Sequence, residues 1–454
     1  MTDRYRSYIG SSESGVPWVG AIPSTWDLVK GRRLFKSIRE ASRAEDEQLS
    51  ATQDQGVVPQ KLLMANSDRR VVQALKGTES FRHVDENDFV ISLRSFQGGI
   101  EHSAYSGCVS PAYTVLRAAK DIHTPYFKRL FKSYGYISAL QTSTDSLRDG
   151  KAISYEAFGE ILLPVPPKTE QKAIARFLDH ETGKIDQLIA KQERLIELLK
   201  EKRQAVITHA VTKGLDPDAR MKDSGVEWLG EVPEHWGVAR IKNLATSISK
   251  GTTPSTIGAD LTNEGVRFLK GENIGKSLRV SPAPEFYISK EVDRQLSRSR
   301  LEENDVLVII AGATTGMASI LQAELLPANT NQAVSFIRPR KSIYARLIAQ
   351  WLSTEFAQRI IWTGAVQSAQ PNLSMEDLGN IPIVVPPLEE LELLLDKISL
   401  KMAKIDQLLL RAEESTNLLS ERRSALISAA VTGKIDVRQW QSKCPTAETE
   451  SVAV

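Results

Sequence analysis

The sequence predicts an α+β fold: two mixed α/β domains separated by two long antiparallel helices. The chain has an internal repeat: residues 16–26 read VPWVGAIPSTW, and residues 226–236 read VEWLGEVPEHW. Each copy closes with a segment rich in Glu, Lys, Gln, Leu and Ile, residues that favour helices. Between these matching edges the copies diverge, as residues 94–100 (RSFQGGI) and 311–317 (AGATTGM) show. The repeat therefore predicts one framework that carries two different interiors.

Matching motifs near the end of each copy set the predicted boundaries. KIDQL occurs at 184–188 and at 404–408, and Pro166-Pro167 corresponds to Pro386-Pro387. Proline stops the strand before it and is tolerated where a helix opens. The predicted segments are a first domain (1–167), a first helix (168–215), a second domain (216–387), a second helix (388–437) and a polar C-terminal tail (438–454).

Short apolar strands and amphipathic helices are predicted inside both domains. The predicted strands are 88–94 and 112–117 in the first domain, and 305–310 and 333–338 in the second. Single helices are predicted at 125–140 and 343–362. Loops of small polar residues are predicted at 95–99, 143–151, 249–255, 270–277, 312–316, 328–332 and 363–372.

An apolar stripe runs along each long helical segment. In the first helix one position recurs every seven residues, and Leu188, Leu195, Ile189 and Ile196 widen the stripe; the recurring residues are Leu178, Ile185, Gln192, Leu199 and Val206. The second helix repeats the pattern with Ile398, Ile405, Ala412, Leu419 and Leu426. Gly214 and Gly433 stand where a left-handed cap would end each helix. Two such stripes are expected to pair antiparallel as a rod of about 45 to 60 Å, with one domain at each end.

The amino-acid composition is that of an ordinary globular chain and does not by itself indicate a class of function. The 454 residues are 41% hydrophobic and 25% charged, and 58 basic side chains face 56 acidic ones. Bulk charge therefore does not indicate nucleic acid, although local clusters exist at Lys30–Arg33, Arg294–Arg300 and Arg338–Lys341. The longest apolar stretch, 306–313, is too short for a membrane span. With only Cys108 and Cys444 and no apolar leader, a reducing cytoplasm is expected.

Enzyme-like motifs are incomplete throughout the chain. Residues 271–277 (GENIGKS) fall one residue short of a phosphate-binding loop, and residues 110–113 (SPAY) lack a proline of the tetrapeptide with which amino-methyltransferases hold a base. The six histidines form no H-x-x-x-H pair, and neither a CxxC motif nor a G-x-S-x-G elbow is present. We expect no catalytic residue and no metal site in this chain.

The repeated motifs resemble the specificity subunit of type I restriction-modification systems. The resemblance covers residues 16–437: a W-x-G-x-[IV]-P-x-x-W opening, a variable domain, a PP-opened helix with KIDQL, and an A-V-T close, all occurring twice. Trp18, Gly20, Pro23 and Trp26 match the opening, and Trp228, Gly230, Pro233 and Trp236 repeat it. Glu170-Gln171 matches the family's helix opening, whereas the second helix has Glu390-Leu391 there.

This resemblance implies a DNA-recognition subunit without catalytic activity. Each variable domain would be a target recognition domain that reads one half of a split double-stranded DNA sequence, and the helices would set the gap between the halves. Two methyltransferase subunits and the restriction and translocation subunits would dock on this chain. S-adenosylmethionine, ATP and magnesium are expected in those partners, and no cofactor is expected here. The tryptophans Trp18, Trp26, Trp228 and Trp236 are predicted either to pack the opening turn or to bind a partner.

DNA contacts are predicted in the polar loops, because Arg, Lys, Asn and Gln match base edges while Ser and Thr adapt. The first domain offers Arg94, Ser95, Gln97, Arg148 and Lys151. The second offers Lys250, Thr252, Lys270, Asn273, Thr314, Asn331 and Gln367. Two alternatives remain open: a self-sufficient DNA methyltransferase or nuclease with an unrecognised site, and a coiled-coil interaction protein without a DNA role.

Overall fold

The computed structural model describes residues 5–66, 80–143, 153–275, 277–365 and 372–441. The chain divides into two compact units. The first unit comprises residues 1–193 and 414–454, and the second comprises residues 194–413. Each unit thus contains one domain together with part of each long helix, whereas the sequence-based boundaries treat each helix as a separate segment.

Twelve strands and parts of both long helices build the first unit. The strands are β1 (Ser11–Glu13), β2 (Ala21–Pro23), β3 (Asp27–Lys30), β4 (Phe35–Ile38), β5 (Leu49–Thr52), β6 (Gly56–Pro59), β7 (Arg82–Val84), β8 (Phe89–Ile91), β9 (Glu101–His102), β10 (Gly107–Val109), β11 (Thr114–Ala118) and β12 (Leu162–Val165) among the described residues. The helices are α1 (Gly31–Leu34), α2 (Gln60–Asn66), α3 (Ser95–Gly98), α4 (Thr124–Leu130), α5 (Tyr134–Thr142), α6 (Tyr155–Glu160) and α7 (Lys168–Lys213), which continues into the second unit.

The second unit has a related set of elements. Its strands are β13 (Met221–Asp223), β14 (Glu231–Pro233), β15 (Gly237–Arg240), β16 (Ala245–Lys250), β17 (Val266–Leu269), β18 (Tyr287–Ile288), β19 (Val306–Ile309), β20 (Ala318–Ile320), β21 (Ala328–Thr330), β22 (Val334–Pro339) and β23 (Pro382–Val385). Its helices are α8 (Ile241–Leu244), α9 (Lys290–Gln295), α10 (Ser342–Leu352), α11 (Glu355–Ala365), α12 (Met375–Asn380) and α13 (Leu388–Val431), which continues into the first unit.

The central sheets of the two units have equivalent strand orders. The first unit has the antiparallel order β4-β11-β8-β9, and the second has β16-β22-β19-β20. The pairs β3-β12 and β15-β23 also correspond, as do β1-β2 and β13-β14. The second unit adds the sheet β18-β17-β21, in which β17 and β21 run parallel. The predicted α+β fold with a repeated framework is confirmed.

Each of the two domain helices predicted as continuous is two helices. The segment 125–140 is divided into α4 and α5, and the segment 343–362 into α10 and α11. At the second break the Ser353 hydroxyl donates to the Gln350 carbonyl and the Thr354 hydroxyl donates to the Trp351 carbonyl. At the first break the Ser133 hydroxyl donates to the Leu130 carbonyl in the same way. Hydroxyl side chains that bond nearby carbonyls compete with the helical ladder, so apolar periodicity alone misses the breaks.

The long helices begin after the double prolines and end at the glycines that the sequence marks, although α13 ends at Val431, before the predicted boundary at residue 437. Helix α7 opens directly after Pro166-Pro167, and α13 opens directly after Pro386-Pro387. Gly214 has φ +80° and Gly433 has φ +74°, the left-handed conformation of a glycine cap. The Lys434 amide donates to the Ala429 carbonyl, which closes the end of α13.

Within each unit the two long helices pair antiparallel. In the first unit the Tyr126 hydroxyl lies 3.0 Å from the Pro164 carbonyl, just before α7, and 3.1 Å from the Val431 carbonyl, at the end of α13, so it can donate to either. Further along the same helices Arg423 donates to Asp186 at 2.7 Å. In the second unit Arg203 pairs with Asp406 at 3.3 Å. Residue numbers rise along one helix as they fall along the other, which is the expected antiparallel direction.

Part of the predicted apolar stripe faces outward. The heptad residues Leu178, Ile185 and Leu199 are buried, but Leu188 and Leu195 are 47% and 44% exposed. Ile189 is half-buried and packs against the core of the first unit. The expectation that Leu188 and Leu195 are buried between the helices is therefore wrong, because the buried face of α7 passes through the neighbouring positions 185 and 189 instead.

Cys108 is buried and has a free thiol, while Cys444 lies outside the described residues. Burial raises the pKa of the Cys108 thiol to about 11. None of the helices in the described ranges combines the length and hydropathy needed to cross a bilayer.

Candidate nucleic-acid interface

Arg94 and Gln97 lie exposed on the short helix α3 in the first unit. The strand β8 ends at Ile91, and the chain turns through Arg94 into α3 before Gly99 redirects it with φ +81°. Arg94 borders a cavity of about 590 Å³, whose other lining residues include Thr52, Gln53, Glu101 and Tyr113. The geometry thus leaves these two predicted side chains free to meet a DNA surface.

Ser95 is a correction to the predicted set. It is 1% exposed, and its hydroxyl accepts a hydrogen bond from the Ser92 amide at 2.9 Å. Ser95 shapes the turn before α3 and does not present its hydroxyl to a ligand in this structure. Arg148 and Lys151 lie outside the described residues, and their predicted roles stay predictions.

The structure brings several predicted residues of the second unit to one loop cluster. Lys250 ends β16, Lys270 follows β17 and Asn331 follows β21. Because β17 and β21 are parallel, with Leu269 opposite Thr330, their carboxyl ends meet at one edge. The Thr252 amide donates to the Thr330 carbonyl at 3.0 Å, which joins the loop after β16 to the same place.

Thr314 lies in a neighbouring loop. It is exposed in the turn that follows β19, and Ile309 at the end of β19 pairs with Val334 in β22. The Val334 amide in turn donates to the Asn331 carbonyl at 3.2 Å. The Ile309 side chain also lies against Gly271, 3.7 Å from the position of an added Cβ. Four loops of the second unit therefore meet, and Gln367 lies outside the described residues.

Lys270 and Asn273 differ in whether their side chains could contact DNA. The Lys270 ammonium lies 3.6 Å from the centroid of the Phe286 ring, a cation–π contact. Asn273 is fully buried, and its amide donates to the carbonyls of Ser281 and Pro284 while its oxygen accepts from the Lys270 amide. The prediction that Asn273 reads a base is therefore wrong for this conformation: Asn273 holds the loop that carries Lys270.

Asn331 is half-buried, and its side-chain oxygen is buried without a hydrogen-bond partner among the described residues. A buried amide oxygen without a partner costs free energy, so the conformation of this loop is not stabilised by the Asn331 oxygen. Lys250 and Thr314 are exposed, and Thr252 is half-buried.

Several residues of the basic clusters form ion pairs within the chain. Lys30 and Arg32 both pair with Glu160, and Arg300 pairs with the carboxylate of Asp293. Arg338 donates to Asp305, which is fully buried, at 2.9 and 3.0 Å. The equivalent pair in the first unit is Arg117 with Asp88. These contacts favour a structural role for the paired cations over phosphate binding.

The tryptophans of the opening motif mostly pack inside their units. Trp236 is fully buried, and its indole N–H donates to Glu390 at 3.0 Å. Trp26 is buried, and Trp18 meets Tyr136 edge-on with ring centroids 5.8 Å apart. Trp228 is 40% exposed. For Trp18, Trp26 and Trp236, this packing supports the prediction that they pack the opening turn of their unit.

The second helix has Glu390-Leu391 where the family pattern has Glu-Gln, but it keeps the glutamate that accepts a hydrogen bond. Glu390 bonds Trp236 in the second unit, and Glu170 accepts a hydrogen bond from the Tyr8 hydroxyl in the first. A buried or half-buried glutamate in the first turn of each long helix thus fixes the opening segment of its unit.

The incomplete enzyme motifs have structural uses. Residues 110–113 form a turn into β11, with the Tyr113 amide donating to the Ser110 carbonyl, as expected. Gly271–Asn273 forms a single 3₁₀ turn.

One group in the described residues has metal-ligand types in reach of one another: Glu40, His83 and Asp85, with ligand atoms within 4.8 Å. Arg117 pairs with both carboxylates of this group, and the His83 ring bonds Asp46 and Asp85. The charges of this group are therefore already balanced by side chains.

Sequence reasoning missed the residues that hold the Arg94 turn. Lys132, between α4 and α5, donates to the Gly98 carbonyl at 2.8 Å, and the Gln141 amide donates to the Phe96 carbonyl at 2.7 Å. No local motif marks Lys132 or Gln141, because their partners lie more than thirty residues away in the chain.

Comparisons with known proteins agree on one family. The model of the type I restriction modification DNA specificity domain matches residues 233–414. The type I restriction enzyme EcoBI specificity subunit of Escherichia coli is 28% identical over 70% of this chain and 68% of its own length. The MjaVIII specificity subunit of Methanocaldococcus jannaschii is 24% identical over 92% of this chain and 94% of its own.

Solved structures share the fold. A chain from a type I R-M system structure has a TM-score of 0.70 at 15% identity, covering 91% of this chain and 99% of that chain. The HsdS subunit from Thermoanaerobacter tengcongensis has a TM-score of 0.50 at 15% identity, covering 91% of this chain and 98% of that chain. The matched domain lies in the second unit, and the repeated fold is the one seen in these solved structures. Along most of its length this chain is similar to type I restriction enzyme specificity subunits.

Proposed function

We propose that this chain is the DNA-recognition subunit of a type I restriction-modification complex and that each unit reads one half of a split target. The observation that carries the proposal is one framework used twice with different loops. The sheets β4-β11-β8-β9 and β16-β22-β19-β20 have the same order. The exposed predicted residues differ, with Arg94 and Gln97 in one unit and Lys250 and Thr314 in the other.

Local chemistry supports base reading over bulk electrostatic binding. The net charge is only +2, so long-range attraction to phosphates is weak. Arginine and lysine on exposed turns can reach guanine, and amides can reach adenine, through the major groove. Such contacts distinguish sequences, whereas phosphate contacts position the protein without reading it.

The chemical steps belong to partner subunits in this proposal. Two methyltransferase subunits would bind S-adenosylmethionine and modify adenines, and restriction subunits would use ATP and magnesium. This chain would select the target sequence and serve as the scaffold that holds the partner subunits.

The long helices offer a surface for these partners. Leu393 and Leu400, seven residues apart on α13, are 55% and 66% exposed. Leucines with this spacing share one helix face, and an apolar helix face exposed to water favours a partner that covers it. We assign this leucine face of the second unit to a methyltransferase subunit.

Incubating the purified chain with DNA and labelled S-adenosylmethionine, with and without the methyltransferase subunits, tests the division of labour. Methyl transfer is expected only when both components are present, and at a split sequence. Methyl transfer by this chain alone would mean a self-sufficient enzyme. Binding of the assembled complex to all DNA sequences alike would mean that the chain scaffolds without reading.

A further inference from the structure

Lys132 ties together three separate segments of the first unit. Its ammonium donates to the Gln53 carbonyl at 3.1 Å, the Gly98 carbonyl at 2.8 Å and the Glu101 carboxylate at 2.5 Å. Gln53 follows β5, Gly98 ends α3 and Glu101 begins β9. An ammonium group has three N–H donors, and here each has an acceptor.

The Glu101 partner is deeply buried. Its side chain is 2% exposed, and its second oxygen has no hydrogen-bond partner among the described residues. Burial raises the pKa of Glu101 to about 7, although Lys132 acts in the opposite direction. A buried carboxylate costs free energy unless a cation compensates it, so the Lys132 contact stabilises the ionised form of Glu101.

The turn between Arg94 and Gly99 depends on this contact for its position. Besides the bond from Lys132 to Gly98, Gln141 donates to the Phe96 carbonyl. Gly99 has φ +81°, and its α-carbon lies so close to the Phe131 carbonyl that a side chain would clash. The turn is thus held from α4 and α5 on one side and from the loop after β5 on the other.

The same residues border one space. Gln53, Arg94 and Glu101 all line the cavity of about 590 Å³. Arg94 is exposed at its edge, whereas Lys132 is mostly buried and used up by backbone and carboxylate acceptors. The group able to meet DNA and the group that fixes its location are therefore different residues.

We propose that Lys132 and Glu101 are positioning residues that hold the Arg94–Gly98 turn for reading the first half-site. This inference rests on the proposed function. Lys132 acts through the turn and does not itself contact a base. Because an arginine contact to a base depends on paired hydrogen bonds in fixed directions, loosening the turn weakens discrimination more than it weakens general binding.

The test uses the full chain assembled with its methyltransferase subunits. Binding is measured by competition on two DNA libraries, one randomised in the first half-site and one in the second. The variants are Lys132→Met, which keeps the length of the side chain and removes its charge, Glu101→Gln, and Lys132→Arg as the conservative variant. Thermal unfolding of each variant is followed in parallel.

For Lys132→Met we expect about a tenfold loss of discrimination at one position of the first half-site, the usual size of one lost base contact. Preference in the second half-site should be unchanged, and Lys132→Arg should recover most of the loss. Glu101→Gln should relax the same position to a smaller degree, because the amide oxygen still accepts from Lys132.

Several outcomes would overturn the inference. Unchanged preferences in both half-sites would show that the turn needs no positioning. An equal loss of affinity for all sequences, or unfolding of both Lys132→Met and Glu101→Gln, would make the pair a general stabilising contact. A wild-type complex that shows no split preference would instead contradict the proposed function, so the two failures are distinguishable.

Discussion

At the scale of single residues, Arg94 and Lys132 show what the sequence can and cannot predict. Arg94 stands beside small polar residues in the sequence, and that local pattern predicts an exposed contact. Lys132 looks like any helix-flanking lysine, and only the fold brings Gln53, Gly98 and Glu101 to its ammonium. Asn273 fails for the same reason, because its acceptors come from a loop eight and eleven residues ahead.

Replacing Arg94 by alanine tests its predicted contact. If Arg94 bonds a base through both guanidinium nitrogens, Arg94→Ala should cost about 1 to 3 kcal/mol of binding free energy and relax one position of the first half-site. Titration of the complex against single-base variants of the target measures both effects. Lys250→Ala is the matched control, since it should leave the first half-site alone. An equal loss on every sequence would mark Arg94 as a phosphate contact.

His83 makes the stability of the first unit depend on pH. Its ring nitrogens bond Asp46 at 2.8 Å and Asp85 at 2.9 Å, and both can donate only when the ring is protonated. Burial lowers the pKa of His83, but the two carboxylates raise it more, so the net pKa is raised. The stabilisation is therefore present below the pKa of the unfolded chain, about 6.5, and is lost as pH rises through the raised pKa of the folded state.

Urea denaturation of wild type and His83→Gln across about pH 6 to 9 measures this effect. The difference in free energy of unfolding between the two proteins should be largest at the acid end and shrink as pH rises. A difference that stays constant across the range would show that His83 does not change its protonation on folding.

At the scale of elements, helix ends set by proline and glycine can be predicted from the sequence. Helix breaks set by serine and threonine hydroxyls cannot. The double prolines and the left-handed glycines mark the ends of α7 and α13 within a residue or two. The α10–α11 break depends on Ser353 and Thr354, which look in the sequence like tolerable helix residues. The heptad pattern finds the helices but misassigns Leu188 and Leu195, because two adjacent positions are apolar and burial selects only one.

Two leucines on α13 give a matched pair for testing the buried face. Leu395 is fully buried in the core of the second unit, whereas Leu393 is 55% exposed. Leu395→Ala should lower the free energy of unfolding by about 2 to 5 kcal/mol. Leu393→Ala should change it by less than about 0.5 kcal/mol. Denaturation of the isolated chain measures both, and equal effects would contradict the assigned face.

The Leu393→Ala variant also distinguishes an effect on folding from an effect on assembly with a partner subunit. If the leucine face binds a methyltransferase subunit, Leu393→Ala should weaken that association while the isolated chain keeps its stability. Unchanged association would remove this face from the partner surface.

At the scale of the whole molecule, the internal repeat is the most informative feature of the sequence. It predicts the number of domains, the fold class and the placement of the long helices. It cannot predict which bases are read, because the residues that would read them lie where the copies diverge. The relatives are 28% and 24% identical to this chain.

Exchanging one domain tests whether the units read independently. Replacing residues 245–380 by the equivalent segment of another specificity subunit should change one half of the recognised sequence and keep the other. The replaced segment begins directly after α8, which follows β15, and ends just before β23. Strands β15 and β23 pair with each other and so retain the framework. Mapping of methylated bases reads out the result, and a change in both halves would contradict independent reading.

In the proposed function, this chain selects the DNA sequence that a methyltransferase modifies. Long-read mapping of methylated bases in cells that express the chain with its methyltransferase partner, compared with cells that lack the chain, tests it most directly. We expect a split motif with modified adenine in both halves that appears only when the chain is present. The same methylated motif in cells with and without the chain would contradict it.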